Sequence, residues 1–270
     1  MDDLKRNLAP ITAEGWAEID ETAADTLKSV LAARRVVDFN GPLGYRHDAV
    51  ATGRVTRLSE PVFEGVEARS REVLPMVELR VDFDIAMREL DDLARGAPDA
   101  DIDSVIEAAR SIAMAEDRMV FHGYGAAGVE GIMERAGDSV GPAPEDATAW
   151  PRVIAEGLDR LTAVGAHGPY ALVVDSDLYT GLQSAVTTEG RRVLDHVQRL
   201  LEGPVIPCRS LDGGVLLSTR GGDFELFVGR DFAIGYSSHD AERVRLYIQE
   251  TLTFRVIGDE AALSLPVAAG

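Results

Sequence analysis

Gly123-Tyr124-Gly125-Ala126-Ala127-Gly128 has the spacing G-x-G-x-x-G. With a strand before it and a helix opening after it, such a loop would bring backbone close to a pyrophosphate seated on the helix N-terminus. Here the preceding residues have helical periodicity, so the glycines are expected to form a helix C-terminal turn. Asp99, Asp101 and Asp103 start like a D-x-D-x-D calcium loop, but the sixth position is Ser104 instead of Gly and the twelfth is Arg110 instead of Glu. Helix capping is the expected use of these acids, and no metal site is expected. The five histidines (His47, His122, His167, His196, His239) are scattered, with no H-E-x-x-H, and no G-x-S-x-G elbow occurs. Cys208 with a distant histidine could in principle make a thiol protease. Its apolar, strand-like surroundings point instead to core packing. The chain shows no catalytic constellation: no enzyme activity and no cofactor are expected.

The elements that would position these residues are readable from periodicity. Thr12 is a plausible N-cap, followed by early acids at Glu14, Glu18 and Glu21. Trp16, Ile19, Ala23, Leu27, Val30 and Leu31 then recur at three- and four-residue spacing, predicting one amphipathic helix from about 13 to 33. Residues 45–71 have extended character on both sides of Ser59-Glu60-Pro61, with too few apolar residues to cover a face; a lone hairpin is marginal in water, so this one is expected to reach onto another subunit. A strand at 76–85 precedes a helix capped by Asp101 or Asp103, whose stripe is Ile102, Val105, Ile106, Ala109, Ile112, Ala113 and Val120. Gly and Pro thicken from Gly123 to Pro144 and mark a boundary. From Trp150 to about Thr219 helical and strand patterns alternate. From Arg243 to Ile257 there is no Gly or Pro, and the side chains alternate: Val244, Leu246, Ile248, Leu252, Phe254 and Val256 on one face, Arg243, Arg245, Tyr247, Gln249, Thr251, Thr253 and Arg255 on the other. A strand of that length overshoots a compact core and suits an elongated subunit that relies on neighbours.

Composition narrows the class. A 270-residue chain with 46% hydrophobic residues can build a sizeable core, and a single cysteine excludes an internal disulfide and fits a reducing cytoplasm. No run approaches the ~20 apolar residues of a membrane span, and the N-terminus has no signal-peptide core, so a soluble cytoplasmic protein is expected. A net charge of −19 argues against nucleic-acid binding, which needs clustered Lys and Arg; the pairs Arg34-Arg35 and Arg191-Arg192 each sit among acids.

The stretch from Arg220 to Phe254, the opening Leu4-Lys5-Arg6-Asn7-Leu8-Ala9-Pro10-Ile11-Thr12, Trp16-Ala17-Glu18-Ile19-Asp20, Leu74-Pro75-Met76-Val77-Glu78-Leu79-Arg80, Glu89-Leu90-Asp91-Asp92-Leu93-Ala94-Arg95-Gly96, Ala115-Glu116-Asp117-Arg118-Met119-Val120-Phe121 and Gly168-Pro169-Tyr170 occur over nearly the whole chain. Together they resemble the encapsulins, prokaryotic shell proteins that share the fold of tailed-phage major capsid proteins. The resemblance implies an α+β, tailed-phage major-capsid-like fold with three parts. A peripheral domain would take 1–44, 72–133 and 224–270, an extended loop 45–71, and an apical domain 134–223.

It also implies two non-catalytic sites. A short C-terminal targeting peptide of a cargo enzyme would bind a groove at Leu27, Val30, Arg34 and Asp38 on the helix side, with Asp231 and Ile234 opposite. Leu27, Val30, Leu31 and Arg34 share a helix face, as a groove with charged edges requires. Thr187, Thr188, Glu189 and Gly190 would form a pore loop around the fivefold axis. Where relatives often carry Gly-Tyr-Pro, this chain has Gly190-Arg191-Arg192; a ring of Glu189 carboxylates would be partly offset by the arginines. The flavin-binding tryptophan of some relatives is replaced by Arg88, so no flavin is expected.

The reading is therefore an encapsulin shell protomer that assembles with itself, in about 60 copies or a larger icosahedral number. The nanocompartment would enclose a cargo enzyme (a peroxidase or a ferritin-like protein) and admit small solutes through pores. The main alternative is a prophage major capsid protein packaging DNA, which shares the fold. Such capsids commonly carry an N-terminal scaffolding segment, whereas here the family-like helix begins within the first dozen residues. A discrete protease or metalloenzyme rests only on Cys208 and stray acids.

Overall fold

The computed structural model describes residues 3–187 and 190–267. Thr12 caps the first helix, α1 (Ala13–Val30), its hydroxyl accepting the Gly15 amide at 3.2 Å. The helix buries Ile19, Ala23 and Leu27. It ends at Val30, short of the expected residue 33, because the Asp117 carboxylate accepts the Ala32 and Ala33 amides. Those amides open a 3-10 turn, Ala33–Arg35, that leads to the short strand β1 (Asp38–Asn40). Next comes a hairpin of β2 (Ala49–Arg57) and β3 (Arg69–Pro75). Its second strand runs past residue 71 to Pro75, since Ala49 pairs with Pro75 and Val50 with Leu74.

Strand β4 (Val77–Ala86) leads into α2 (Met87–Ala94) and the long α3 (Asp103–His122). Asp101 accepts the Asp103 amide at 3.2 Å at the start of α3. At its end, Gly123 (φ 74°) provides the left-handed cap that L side chains resist. The fingerprint glycines thus form a helix-end turn, closed by Tyr124 and Val129 and followed by α4 (Ile132–Arg135).

The remaining elements are β5 (Asp138–Ser139), α5 (Trp150–Ala163), β6 (Tyr170–Val174), α6 (Ser176–Ser184), α7 (Val193–Leu201), β7 (Val205–Pro207), β8 (Gly214–Ser218), β9 (Phe224–Val228), β10 (Ala233–His239), β11 (Arg243–Val256) and β12 (Ala262–Leu265). β11 organises one five-stranded sheet. β4 lies antiparallel along one edge, from Arg243↔Ala86 to Leu252↔Val77. Along the other edge β10 and then β9 pair in succession, and β1 adds in parallel to β9. The strand is long because it holds two successive partners on one side. Its alternation sets an apolar face against a largely polar one, yet Tyr247, Gln249, Thr251 and Thr253 on the second face are buried as well. Near Thr251 the loop after β1 meets the turn between β9 and β10: Leu43 and Gly44 donate to the Val228 and Gly229 carbonyls, and Thr251 Oγ1 accepts the Arg230 amide at 2.8 Å.

The second sheet has the order β5-β12-β8-β6-β7. Its strand β12 comes from residues after β11, so the segment 224–270 contributes to both sheets. The crossing is made at Gly258, where a Cβ would lie 2.3 Å from Asp223 Oδ1. One apolar cluster joins α1, α3, β4, β10 and β11 through Ile19, Leu27, Ile112, Phe83, Ile234 and Leu246. The other fills the second sheet and continues through Phe121, Leu226 and Phe254 at the far end of α3.

Candidate functional site

Where α1 ends, three elements converge on Arg34. The 3-10 turn delivers its guanidinium over Glu116 of α3, with Nε–Oε1 at 2.9 Å and Nη2–Oε2 at 2.6 Å. The same Nη2 lies 2.5 Å from Glu250 Oε1 of β11, and Nη1 lies 2.9 Å from Asp231 Oδ1 just before β10. The rings of Phe39 and Phe232 stack on the guanidinium at 4.9 and 4.7 Å. Glu116 and Glu250 are wholly buried, whereas the Asp231 side chain is 42% exposed.

One cation thus faces three carboxylates. Burial by itself would weaken the Arg34 charge; the hydrogen bond and charge of Glu116, then Glu250 and Asp231, outweigh it and hold its pKa raised. Glu250 is pushed well above the usual carboxylate range, first by burial and next by the charge of Glu116, with Arg34 opposing. Its Oε2 is buried without a hydrogen-bond partner, a setting that disfavours the charged form. Beside it, burial raises Asp117 to about 7 against the pull of the Ala33 and Ala32 amides. Cys208, 3.8 Å from Asp117, is pushed up to about 11, chiefly by burial and then by the Asp117 charge. That is an inert thiol, held among apolar neighbours.

The expected groove residues separate into three groups. Leu27 and Ile234 meet in one apolar cluster, but at 9% and 5% exposure their surface is filled within the subunit. Val30, packed on the same cluster and half-buried, and the Arg34–Asp231 pair have surface to offer. Asp38 makes no ion pair with Arg34; its carboxylate accepts the Gly222 amide at 2.5 Å and ties down the turn before β9. An apolar patch edged by a negative carboxylate can dock a peptide but has no nucleophile–base pair.

In the loop between α6 and α7, the Thr187 carbonyl accepts the Gly190 amide and its hydroxyl the Arg191 amide, with Gly190 at φ 78°. Thr188 and Glu189 lie outside the described residues. Arg88 is exposed on α2 and pairs with Glu89 at 2.9 Å. Among the described residues no cluster of His, Cys, Asp and Glu is arranged to hold a metal ion, and no helix is long and apolar enough to cross a membrane.

Sequence reading missed Glu116 and Glu250. Both carry a signal: Glu116 falls on the apolar stripe of α3, four residues before Val120, and Glu250 has the parity of the apolar face of β11.

This architecture is that of capsid shells. It superposes on the virus-like particle from Pyrococcus furiosus with a TM-score of 0.67 at 16% identity, covering 94% of this chain and 100% of that one. The capsid of Myoviridae phage XM1 gives a TM-score of 0.55 at 14% identity, covering 87% and 90%. At such identities the likeness is one of fold, that of the tailed-phage major capsid proteins. The family profile described as "Encapsulating protein for peroxidase" matches residues 1–253. The type 1 encapsulin shell protein of Rhodospirillum rubrum is 51% identical over 270 residues, covering 98% of this chain and 96% of that one. That of Mycobacterium tuberculosis is 44% identical over 265 residues, covering 98% and 99%. The chain belongs to the encapsulin shell protein family.

Proposed function

We propose that this chain is the protomer of an icosahedral encapsulin shell that encloses a cargo enzyme. The observation that carries the reading is the family match along residues 1–253, on a fold whose solved neighbours include a virus-like particle and phage capsids. The role is structural: the chain assembles with itself, and chemistry belongs to the cargo. Closed point-group symmetry sets the smallest icosahedral shell at about 60 copies. We assign a cytoplasmic location, with small solutes crossing pores lined by the 187–190 loop. We keep the peripheral, loop and apical division as part of this proposal, with the hairpin carried on to Pro75 and Ala262–Leu265 grouped with the sheet that it joins.

Cargo docks through a short C-terminal peptide laid along α1 between Val30 and Asp231. The apolar patch at Val30 supplies contact area, and Asp231 offers a carboxylate to a basic or hydrogen-bonding residue. The test is to purify shells from the source cell, identify their content by mass spectrometry, and fuse its C-terminal segment to a fluorescent reporter. Loading into wild-type shells and its loss in Val30→Asp shells of equal yield is the expected result. Equal loading in both removes the groove from this position.

A prophage capsid reading shares the fold but not the family match. Shells free of nucleic acid and holding an enzyme support the encapsulin reading; packaged DNA supports the other.

A further inference from the structure

Thr187, residues 190–192 and the first two turns of α7 line an open depression of about 780 Å³. Three arginines line it, Arg191, Arg192 and Arg199, together with His196 and the Thr187 hydroxyl; Asp195 is the one carboxylate among its described lining residues. Most arginines lining the other elements are engaged by carboxylates, as Arg34, Arg80, Arg220, Arg245 and Arg255 are. Arg191, Arg192 and Arg199 make no ion pair with any described residue, although the chain carries 46 acids against 27 lysines and arginines. Among the described residues, three guanidinium groups within nine positions thus share one depression without an ion-pair partner.

The backbone adds to this field. Arg192 is the N-cap of α7 and its side chain makes no capping bond. The Ala185 carbonyl takes the Val193 amide, and the amides after it have no capping acceptor among the described residues, with Asp195 the one acid in that turn. The positive end of the helix dipole and the guanidinium groups point to the same kind of ligand. Guanidinium forks match the oxygens of phosphate in bidentate fashion, and several around one depression favour a multiply charged oxyanion over chloride.

We propose that this depression binds small phosphate-type oxyanions through Arg191, Arg192 and Arg199, with His196 and Thr187 as further hydrogen-bonding groups. The site is formed within one subunit and does not depend on where the loop lies in a shell. Because Thr187 and Gly190 belong to the proposed pore loop, such anions would be concentrated at that opening.

The experiment is isothermal titration calorimetry of the full-length protein with inorganic pyrophosphate at low ionic strength. Saturable binding is expected, displaced by sulfate more effectively than by chloride at equal ionic strength. R192S/R199S should weaken it at least tenfold, while R152S, on the exposed face of α5, should bind as wild type. All three cluster arginines are exposed, so these variants should keep the wild-type Tm. R199S alone, expected to bind several-fold more weakly, serves if the double variant is unstable. No saturable binding by wild type, or equal affinity in the arginine variants, overturns the proposal.

Discussion

Arg34 Nη2 sits 2.5 Å from Glu250 Oε1, joining the turn after the first helix to the middle of β11 across 216 residues of sequence. The contact lies beside a second buried carboxylate, Glu116, so the junction of α1, α3 and the sheet is set by charge as well as by apolar packing. Removing the cation leaves two buried carboxylates without it. Arg34→Ala should destabilise the subunit by roughly 3–5 kcal/mol, the range for breaking one partner out of a buried pair. Chemical denaturation of the two proteins under matched conditions measures it. A change within about 0.5 kcal/mol, as for an ordinary surface site, would contradict the geometry.

The same junction gives a pH dependence whose sign follows from linkage. Asp117 and Glu250 both have raised folded-state pKa values, so the native state binds their protons more tightly than the unfolded state does. Their contribution is therefore greatest in acid. For Asp117 it declines as pH rises from about 4 to about 7, and for Glu250 it declines above the usual carboxylate range. Glu250→Gln keeps the shape and removes the titration. Its Tm relative to wild type should rise as pH is raised above the usual carboxylate range, read by differential scanning. A constant difference across that range would show that Glu250 does not titrate there.

The glycines of the G-x-G-x-x-G stretch can be separated by what a methyl group would meet. At Gly125 there is open space, and nothing lies within 4 Å. At Gly131, just beyond the turn, a Cβ would fall 2.2 Å from the Gly123 amide nitrogen and 2.6 Å from the Phe121 carbonyl. Gly125→Ala should change stability by less than about 0.5 kcal/mol. Gly131→Ala should cost about 3 kcal/mol, at the upper end of overpacking, because backbone must move. Urea denaturation of both variants decides; equal stability would mean that the turn is not packed as described.

How far the sequence reached can be judged residue by residue. Thr12 and Gly123 were legible because capping is local: one side chain or one φ angle settles a helix end. The expected cap at Asp101 or Asp103 is not formed, since Ile102 holds the N-cap position of α3 and Asp101 only accepts the Asp103 amide. The length of β11 was legible locally too, as an unbroken alternation. The end of α1 was not, since it is drawn by Asp117, 85 positions away. Burial of the second face of β11 was hidden too, because Gln249, Thr251 and Thr253 look like solvent residues until distant segments fold against them. The groove residues came from family resemblance. Periodicity placed Leu27 and Val30 on one face, but the different exposure of Leu27 and Val30, and the engagement of Asp38 with Gly222, required the fold.

The hairpin tip carries its own prediction. Val62 and Phe63 are 84% and 74% exposed, an apolar pair that a free subunit would leave in water. V62S/F63S should leave the subunit's near-UV circular dichroism unchanged and sharply lower the yield of closed particles in negative-stain images. Wild-type particle yield would show that neighbours do not cover the tip.

Cys208 should behave as packing rather than as a nucleophile. Iodoacetamide at pH 8 should leave the native protein unmodified by mass spectrometry and label it fully in denaturant, because burial holds the thiol near 11. Rapid labelling of the native state would restore the thiol-enzyme alternative.

Assembly is the central claim, and size-exclusion chromatography with negative-stain electron microscopy of the recombinant protein tests it most directly. The account predicts elution as a large species and hollow, closed particles of uniform diameter. A stable 29.0 kDa monomer at micromolar concentration, with no particles on the grid, would contradict it.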